Sequence, residues 1–231
     1  MIQKPYDSVV NCIGILKSAV NEKEARSLRR AIQVNAVFPY QLAAIVPTAH
    51  IVHMSTDGVF SGLSTRPYLE SDATDCRDAY GKSKALGECP AHNVLNIRCS
   101  IIGRDPLGHK GLIERVLGSP PGSELPGFEN QMWNGVTTTQ FGRLCREILD
   151  SGSFDQIRAI SPVHHFCPNP PVTKYALLRM IREVSGSNIH IGKASAPGNG
   201  CVLGTMFDEL RRLYPDSPDW LPVLREAVAE S

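Results

Sequence analysis

Along the first hundred residues, short apolar runs alternate with longer mixed stretches, and the lengths separate strands from helices. Ser8 to Ile13 is an apolar run closed by Gly14, and His50–Met54 and Val94–Cys99 are two more of the same kind. Runs of this length, bounded by breakers, read as buried strands. Between the first two, Glu22 to Ala44 carries Ala31, Val34, Val37, Leu42 and Ala43 as one buried stripe of a helix. A polar stretch rich in Ser, Thr, Asp and Arg runs from Ser55 to Asp78, and Tyr80 to Glu88 predicts a second helix. Strands separated by helices predict an α/β fold of parallel βαβ units with both sheet faces covered.

Beyond Gly103 the pattern loosens. Gly118-Ser119-Pro120-Pro121-Gly122 and Leu125-Pro126-Gly127 mark loops. Helical periodicity returns at Thr139–Leu149, Lys174–Val184, Thr205–Tyr214 and Leu221–Ala229, and Gln156–Ile160 reads as another strand. This half has the loop-rich character of a substrate lobe laid over a sheet.

Composition narrows the function. The 231 residues hold 24 Lys and Arg against 23 Asp and Glu, a net charge of +1. That balance lacks the broad basic field that draws nucleic acid or an anionic membrane surface. No apolar run approaches the ~20 residues that span a bilayer, and MIQKPYDSVV reaches Pro5 and Asp7 before any apolar stretch, unlike a signal peptide. Cys12, Cys76, Cys89, Cys99, Cys145, Cys167 and Cys201 are scattered with no C-x-x-C pair, which argues against a disulfide framework and a structural zinc site. A reducing cytoplasm is the expected location. His164 and His165 are adjacent and point to opposite faces of a strand, so they read as structural or surface histidines and no metal is expected.

Chemistry concentrates between Ser55 and Glu88. Tyr80-Gly81-Lys82-Ser83-Lys84 sets a phenol and an ammonium at i and i+4 on one helix face. A phenol that ionises near pH 10 is a poor acid–base group at neutrality. A neighbouring cation favours the phenolate and eases proton exchange with a carbonyl or alcohol; Lys84 can also donate to a sugar hydroxyl. Thr56 follows a strand, at the carboxyl edge of a parallel sheet, where a hydroxyl can bond a reacting oxygen. The Tyr-x-x-x-Lys spacing alone recurs in ordinary helices, where such a pair contributes only ~0.2–0.5 kcal/mol. Its weight comes from the hydroxyl-rich strand end upstream. Trp133-Asn134, in a Gly-flanked turn, suits stacking on a nucleotide or sugar and equally suits loop packing. Arg77, Arg98 and Arg104 are able to contact phosphate, with solvation or ion pairing as the default.

Ser55-Thr56-Asp57-Gly58-Val59-Phe60-Ser61-Gly62, Pro67-Tyr68-Leu69-Glu70 and Tyr80-Gly81-Lys82-Ser83-Lys84-Ala85-Leu86-Gly87-Glu88 together resemble the extended short-chain dehydrogenase/reductases, within them the dTDP-4-dehydrorhamnose reductase-like branch of nucleotide-sugar enzymes. The likeness continues at Val9-Val10-Asn11-Cys12-Ile13-Gly14, Val34-Asn35-Ala36, Asn96-Ile97-Arg98-Cys99-Ser100 and Trp133-Asn134-Gly135-Val136-Thr137-Thr138. It implies a Rossmann-like nucleotide-binding domain over residues 1–103 and an interleaved substrate lobe over 104–231, with a strand near 156–161 rejoining the sheet. It further implies reduction of a nucleotide-activated keto-deoxysugar for surface polysaccharide, with NADPH or NADH as hydride source. Tyr80 would donate the proton, Lys84 would lower the Tyr80 pKa and hold the nicotinamide ribose, and Thr56 would fix the carbonyl oxygen. Asn11, Cys12, Ile13 and Gly14 would form the turn beside the cofactor, supported by Asn35. Substrate contacts would fall to Ser55, Asp57, Ser100, Trp133 and Asn134.

The sequence departs from the family in three places. Family members open with a strand, a G-x-x-G-x-x-G turn and a helix whose N-terminus receives the pyrophosphate. Here Gly14 and Gly58 stand isolated and Met1 lies a few residues before the first strand. The expectation is an incomplete Rossmann-like sheet with Ser8 to Ile13 as an exposed edge, explained first by a start codon placed too late or a truncated gene and only third by a homodimer or partner chain that completes the sheet, together with weak nicotinamide binding and impaired turnover. Gly58 stands where rhamnose reductases usually carry Tyr, and Ile101 where many carry Trp. Both changes remove aromatic surface near the sugar, so a related keto sugar is expected in place of the rhamnose precursor. The family also includes the regulatory β subunit of methionine adenosyltransferase, so a non-catalytic subunit or an inactive remnant is the alternative. An epimerase or dehydratase ranks third.

Overall fold

In the computed structural model, which describes residues 6–105 and 107–229, β1 (Ser8–Asn11) is followed by α1 (Ala25–Ala31), α2 (Phe38–Ile45), β2 (His50–Met54), α3 (Ala79–Leu86) and β3 (Val94–Arg98). Then come β4 (Ile101–Ile102), α4 (Leu112–Leu117), β5 (Glu124–Phe128), β6 (Met132–Trp133), β7 (Val136–Thr137), α5 (Thr138–Asp150), α6 (Phe154–Ile160) and β8 (Val163–His165). The last elements are β9 (Val172–Thr173), α7 (Lys174–Ser185), β10 (His190–Ala194), β11 (Gly200–Cys201), α8 (Glu209–Leu213) and α9 (Trp220–Ala229). The expectation about a signal peptide rests in part on residues 1–5, outside the described residues.

The main sheet is parallel throughout, in the order β1-β2-β3-β8. Side chains alternate across it. Ile51 and Val94 pack on Ala43 of α2, whereas Val52, Leu95 and Ile97 pack on Phe141, Leu144 and Ile148 of α5 and Phe154 and Ile157 of α6. Strands β2 and β3 are thus buried on both faces, as their apolar runs predict, while the edge strand β1 is largely exposed. A separate core joins Ile113 and Val116 of α4, Leu177 and Ile181 of α7, and Trp220 and Leu224 of α9. Among the described residues no helix is long and apolar enough to cross a membrane.

Five expectations are corrected. Leu125-Pro126-Gly127 is the middle of β5, paired in parallel with β10, and not a loop. The first strand ends at Asn11, two residues early, because the Asn11 side chain accepts from the Ile13 amide at 3.1 Å and turns the chain. Gln156–Ile160 belongs to helix α6: Phe154 and Ile157, three apart, are both buried, a helical spacing. The strand that rejoins the sheet is Val163–His165, on the edge of β3. Thr205–Tyr214 is helical only over Glu209–Leu213, since the Thr205 hydroxyl accepts from the Phe207 amide at 3.1 Å and makes a turn.

The Glu22–Ala44 helix is interrupted as well. Pro39 has no N–H for the Asn35 carbonyl four residues back, so residues 32–37 open into a π turn in which Phe38 donates to Gln33. The freed Asn35 carbonyl faces Gly87 so closely that a Cβ there would collide with it. This contact seats α3 on the long helix.

Candidate functional site

The carboxyl ends of β1, β2 and β3 converge with the start of α3. Asp78 caps α3, accepting from the Gly81 amide at 2.8 Å. At the end of β2, Thr56 Oγ1 accepts from the Gly58 amide at 3.0 Å and lies 3.2 Å from Asp57 Oδ1. Thr56 and the Tyr80 ring stand together beside Gly58. Gly58 packs closely against this pair: a Cβ there would lie 3.1 Å from Tyr80 Cε1 and 3.3 Å from Thr56 Oγ1.

Two cavities meet at this pair. The smaller, about 190 Å³, has walls from Cys12, Gly14, Ile15, Leu16 and Lys84 among others. The larger, about 580 Å³, opens toward the second core and includes Asp57, Arg115, Phe128, Gln131, Trp133 and Lys174. Thr56, Tyr80 and Ser100 line both. A proton donor thus stands on the wall between two chambers.

The electrostatics differ from the expected scheme. Burial pushes the Tyr80 phenol above its ordinary value, with the neighbouring Thr56 hydroxyl acting the other way. The expected lowering of this phenol by Lys84 is not found. The Lys84 ammonium donates instead to the Met54 carbonyl at 2.8 Å, and burial brings its pKa down to about 8. Burial also raises Asp57, against hydrogen bonds from Thr56 and Ser100.

Several predicted residues act at one remove. Asn11 is buried, with its amide on His53 Nδ1 at 3.0 Å and its carbonyl on the Ile13 amide. Asn35 is fully buried and holds both the N–H and the C=O of Ile15, at 2.7 and 3.1 Å, as well as Ser83 Oγ at 3.1 Å. These two asparagines shape the turn that Cys12 and Gly14 present to the smaller cavity; Ile13 is exposed. The Ser55 hydroxyl donates to Glu88 at 2.7 Å. Asn134 is buried with its amide clasping Leu203 N and O at 2.9 and 2.8 Å, away from the expected substrate contact. Trp133 lines the larger cavity and stacks on Trp220 at 5.1 Å.

Of the three arginines, Arg98 is sealed in an ion pair with Glu88 and Arg104 pairs with Glu114 at 2.7 Å, while Arg77 is exposed. His164 and His165 are buried on β8, bonded to the carbonyls of Ile157 and Gly204. Sequence reasoning missed Arg115, Gln131 and Lys174. They come from the second half of the chain and carry no motif. No cluster of metal-ligating side chains occurs among the described residues.

The smaller cavity fits the nicotinamide–ribose end of a dinucleotide: Ile15, Leu16 and Ile101 give apolar walls for a planar ring, and Tyr80 and Lys84 give donors at its rim. No glycine-rich helix start borders it among the described residues.

Comparison with known proteins agrees with the motifs. Residues 2–102 match the RmlD substrate binding domain. The chain is 42% identical over 84 residues to the spore coat polysaccharide biosynthesis protein SpsK of Bacillus subtilis, covering 36% of this chain and 29% of that protein. It is 37% identical over 139 residues to the dTDP-4-dehydrorhamnose reductase of Salmonella typhimurium, covering 52% and 46%. The matches to these curated relatives thus span less than half of their length. In fold, the chain resembles the dTDP-4-dehydrorhamnose reductase of Bacillus anthracis, solved in complex with NADP, with a TM-score of 0.78 at 16% identity over 97% of this chain and 80% of that one.

Proposed function

We propose that this chain, a member of the extended short-chain dehydrogenase/reductases of the dTDP-4-dehydrorhamnose reductase-like branch, reduces a nucleotide-linked keto-deoxysugar with NADPH or NADH. The observation that carries the reading is the shared wall: Thr56, Tyr80 and Ser100 border both cavities, so a donor in one chamber meets an acceptor in the other.

Ile15, Leu16, Ile101 and Lys84 would hold a reduced nicotinamide in the smaller cavity, and the hydride would come from it. The Tyr80 phenol, kept protonated by burial, donates to the ketone oxygen. Thr56 shares that oxygen and fixes its direction, and Ser100, which lines the same two cavities, offers a second hydroxyl. Proton transfer leaves a phenolate, toward which the neighbouring Thr56 hydroxyl biases the phenol. Asp57, Trp133, Lys174 and Arg115 face the larger cavity, where an apolar ring and two cations suit a sugar and its diphosphate. With this reading go a role in surface polysaccharide synthesis and a cytoplasmic location.

β1 pairs with β2 on one side, and Val10 is 42% exposed. An open strand edge recruits another strand, and we assign this edge to a second copy or a partner chain. The test of the reading is to mix the protein with NADPH and a series of dTDP-linked keto sugars. Keto-sugar-dependent NADPH oxidation is expected, and no oxidation with any of them would contradict it.

A further inference from the structure

One buried carboxylate, outside every motif role assigned above, ties together the elements that carry the proton-transfer groups. Glu88 follows α3 by two residues. Its Oε1 accepts from Ser55 Oγ at 2.7 Å and from Arg98 Nε at 2.7 Å, and its Oε2 accepts from Arg98 Nη2 at 2.7 Å. The Arg98 and Glu88 side chains are 6% and 8% exposed. Arg98 also stacks over the Phe60 ring at 5.2 Å and reaches His165 Nε2 at 3.4 Å. The clamp therefore joins the end of α3, the end of β2, β3 and β8. Ser55 is the residue before Thr56, and Glu88 lies one turn beyond Lys84.

We propose that Glu88, clamped by Arg98, is a positioning residue that fixes Thr56 against Tyr80 and serves as the counter-charge of Lys84. This rests on the reductase reading for its purpose, but its geometry does not.

Two arguments support it. A buried ion pair with a hydrophobic alternative is a poor source of stability, because desolvation offsets the attraction. A bidentate, three-bond carboxylate is instead a precise geometric constraint. Second, Lys84 is faced by Cys12 from the turn after β1, by His53 of β2 and by Cys99 after β3. Burial raises both thiols and holds His53 near pKa 3. None of the three is charged at neutral pH, which leaves Glu88, one turn beyond Lys84 in the chain, as the carboxylate that favours the ammonium.

The test uses Glu88→Gln and Ser55→Ala, with folding checked by circular dichroism and thermal midpoint. Lys84 is titrated through its ε-carbon NMR shift in the cofactor-free protein, identified by its absence in Lys84→Met. In folded Glu88→Gln, the Lys84 midpoint is expected to fall by about one pH unit and in Ser55→Ala to stay. Ser55→Ala is expected to lose about tenfold in kcat with KM for NADPH unchanged. An unshifted Lys84 in Glu88→Gln overturns the counter-charge role; unchanged kcat in Ser55→Ala, or equal losses in kcat and cofactor affinity, overturns the positioning role. If Glu88→Gln does not fold, Ser55→Ala, which leaves the ion pair intact, decides. If the native chain turns over no keto sugar, the reductase reading fails while the Lys84 titration still judges the clamp.

Discussion

The Lys84 ammonium donates to the main-chain carbonyl of Met54 at 2.8 Å, and that bond sets α3 across the end of β2. It brings Tyr80, one turn earlier, to the Thr56 hydroxyl that follows the same strand.

Holding a charge at that depth costs stability. Burial lowers the Lys84 pKa from 10.5 to about 8. Above pH 10.5 the lysine is neutral in both states; as pH falls toward 8 the unfolded chain takes up the proton first and folding weakens, and below 8 the full cost is in force. Lys84→Met is therefore expected to stabilise the fold at pH 7 by about 1–2 kcal/mol and to remove reductase activity. Chemical denaturation at pH 7 checks the first, and a destabilised variant would count against the account.

Gly58 has little room to change. A methyl group there would press on Tyr80 Cε1 and Thr56 Oγ1 at 3.1 and 3.3 Å. Gly58→Ala is expected to lower turnover about tenfold or more by displacing the phenol, with a thermal midpoint close to that of the parent. Steady-state kinetics beside a melting curve separates the two effects.

His53 predicts acid sensitivity. Fully buried beside Asn11, it is held neutral down to about pH 3, against 6.5 for a free histidine. The unfolded chain binds a proton below pH 6.5 that the folded chain refuses, so stability is full above 6.5 and drains away as pH drops toward 3. His53→Gln keeps an acceptor for the Asn11 amide without the titration, and its stability profile over that range is expected to be flatter. Denaturation midpoints at pH 7, 5.5 and 4.5 read the difference.

Among the described residues nothing pairs with the outer edge of β1, and the proposed reading expects that edge to associate. Val10→Lys puts a charge on that edge, a device that discourages strand pairing, and is expected to shift the chain toward a smaller native mass. Light scattering of parent and variant at equal concentration is the measurement.

Much of this site was legible locally. Thr56 ends an apolar run, Tyr80 and Lys84 share a helix face, and the strands read as unbroken apolar stretches, so three strands and α3 follow from neighbours in sequence. The π turn was also written in the chain, in the spacing of Pro39 from Asn35, but periodicity averages over such a defect. What could not be read is non-local. The Ser55 hydroxyl looks like a substrate group until Glu88, 33 positions away, is found to accept from it. Asn134 looks like a sugar contact until it meets Leu203. Strand β8 is three residues long and too short for any alternation to register. Lys174 and Arg115 reach the larger cavity through the packing of α7 and α4, which no motif announces.

The most direct test compares the parent chain with Tyr80→Phe, supplied with NADPH and a dTDP-linked 4-keto-6-deoxysugar, following NADPH absorbance and, separately, NADPH binding. The account predicts that Tyr80→Phe binds the cofactor as the parent does and reduces the sugar at least a hundredfold more slowly, roughly the worth of a positioned proton donor. Equal rates of reduction in the two proteins would contradict it.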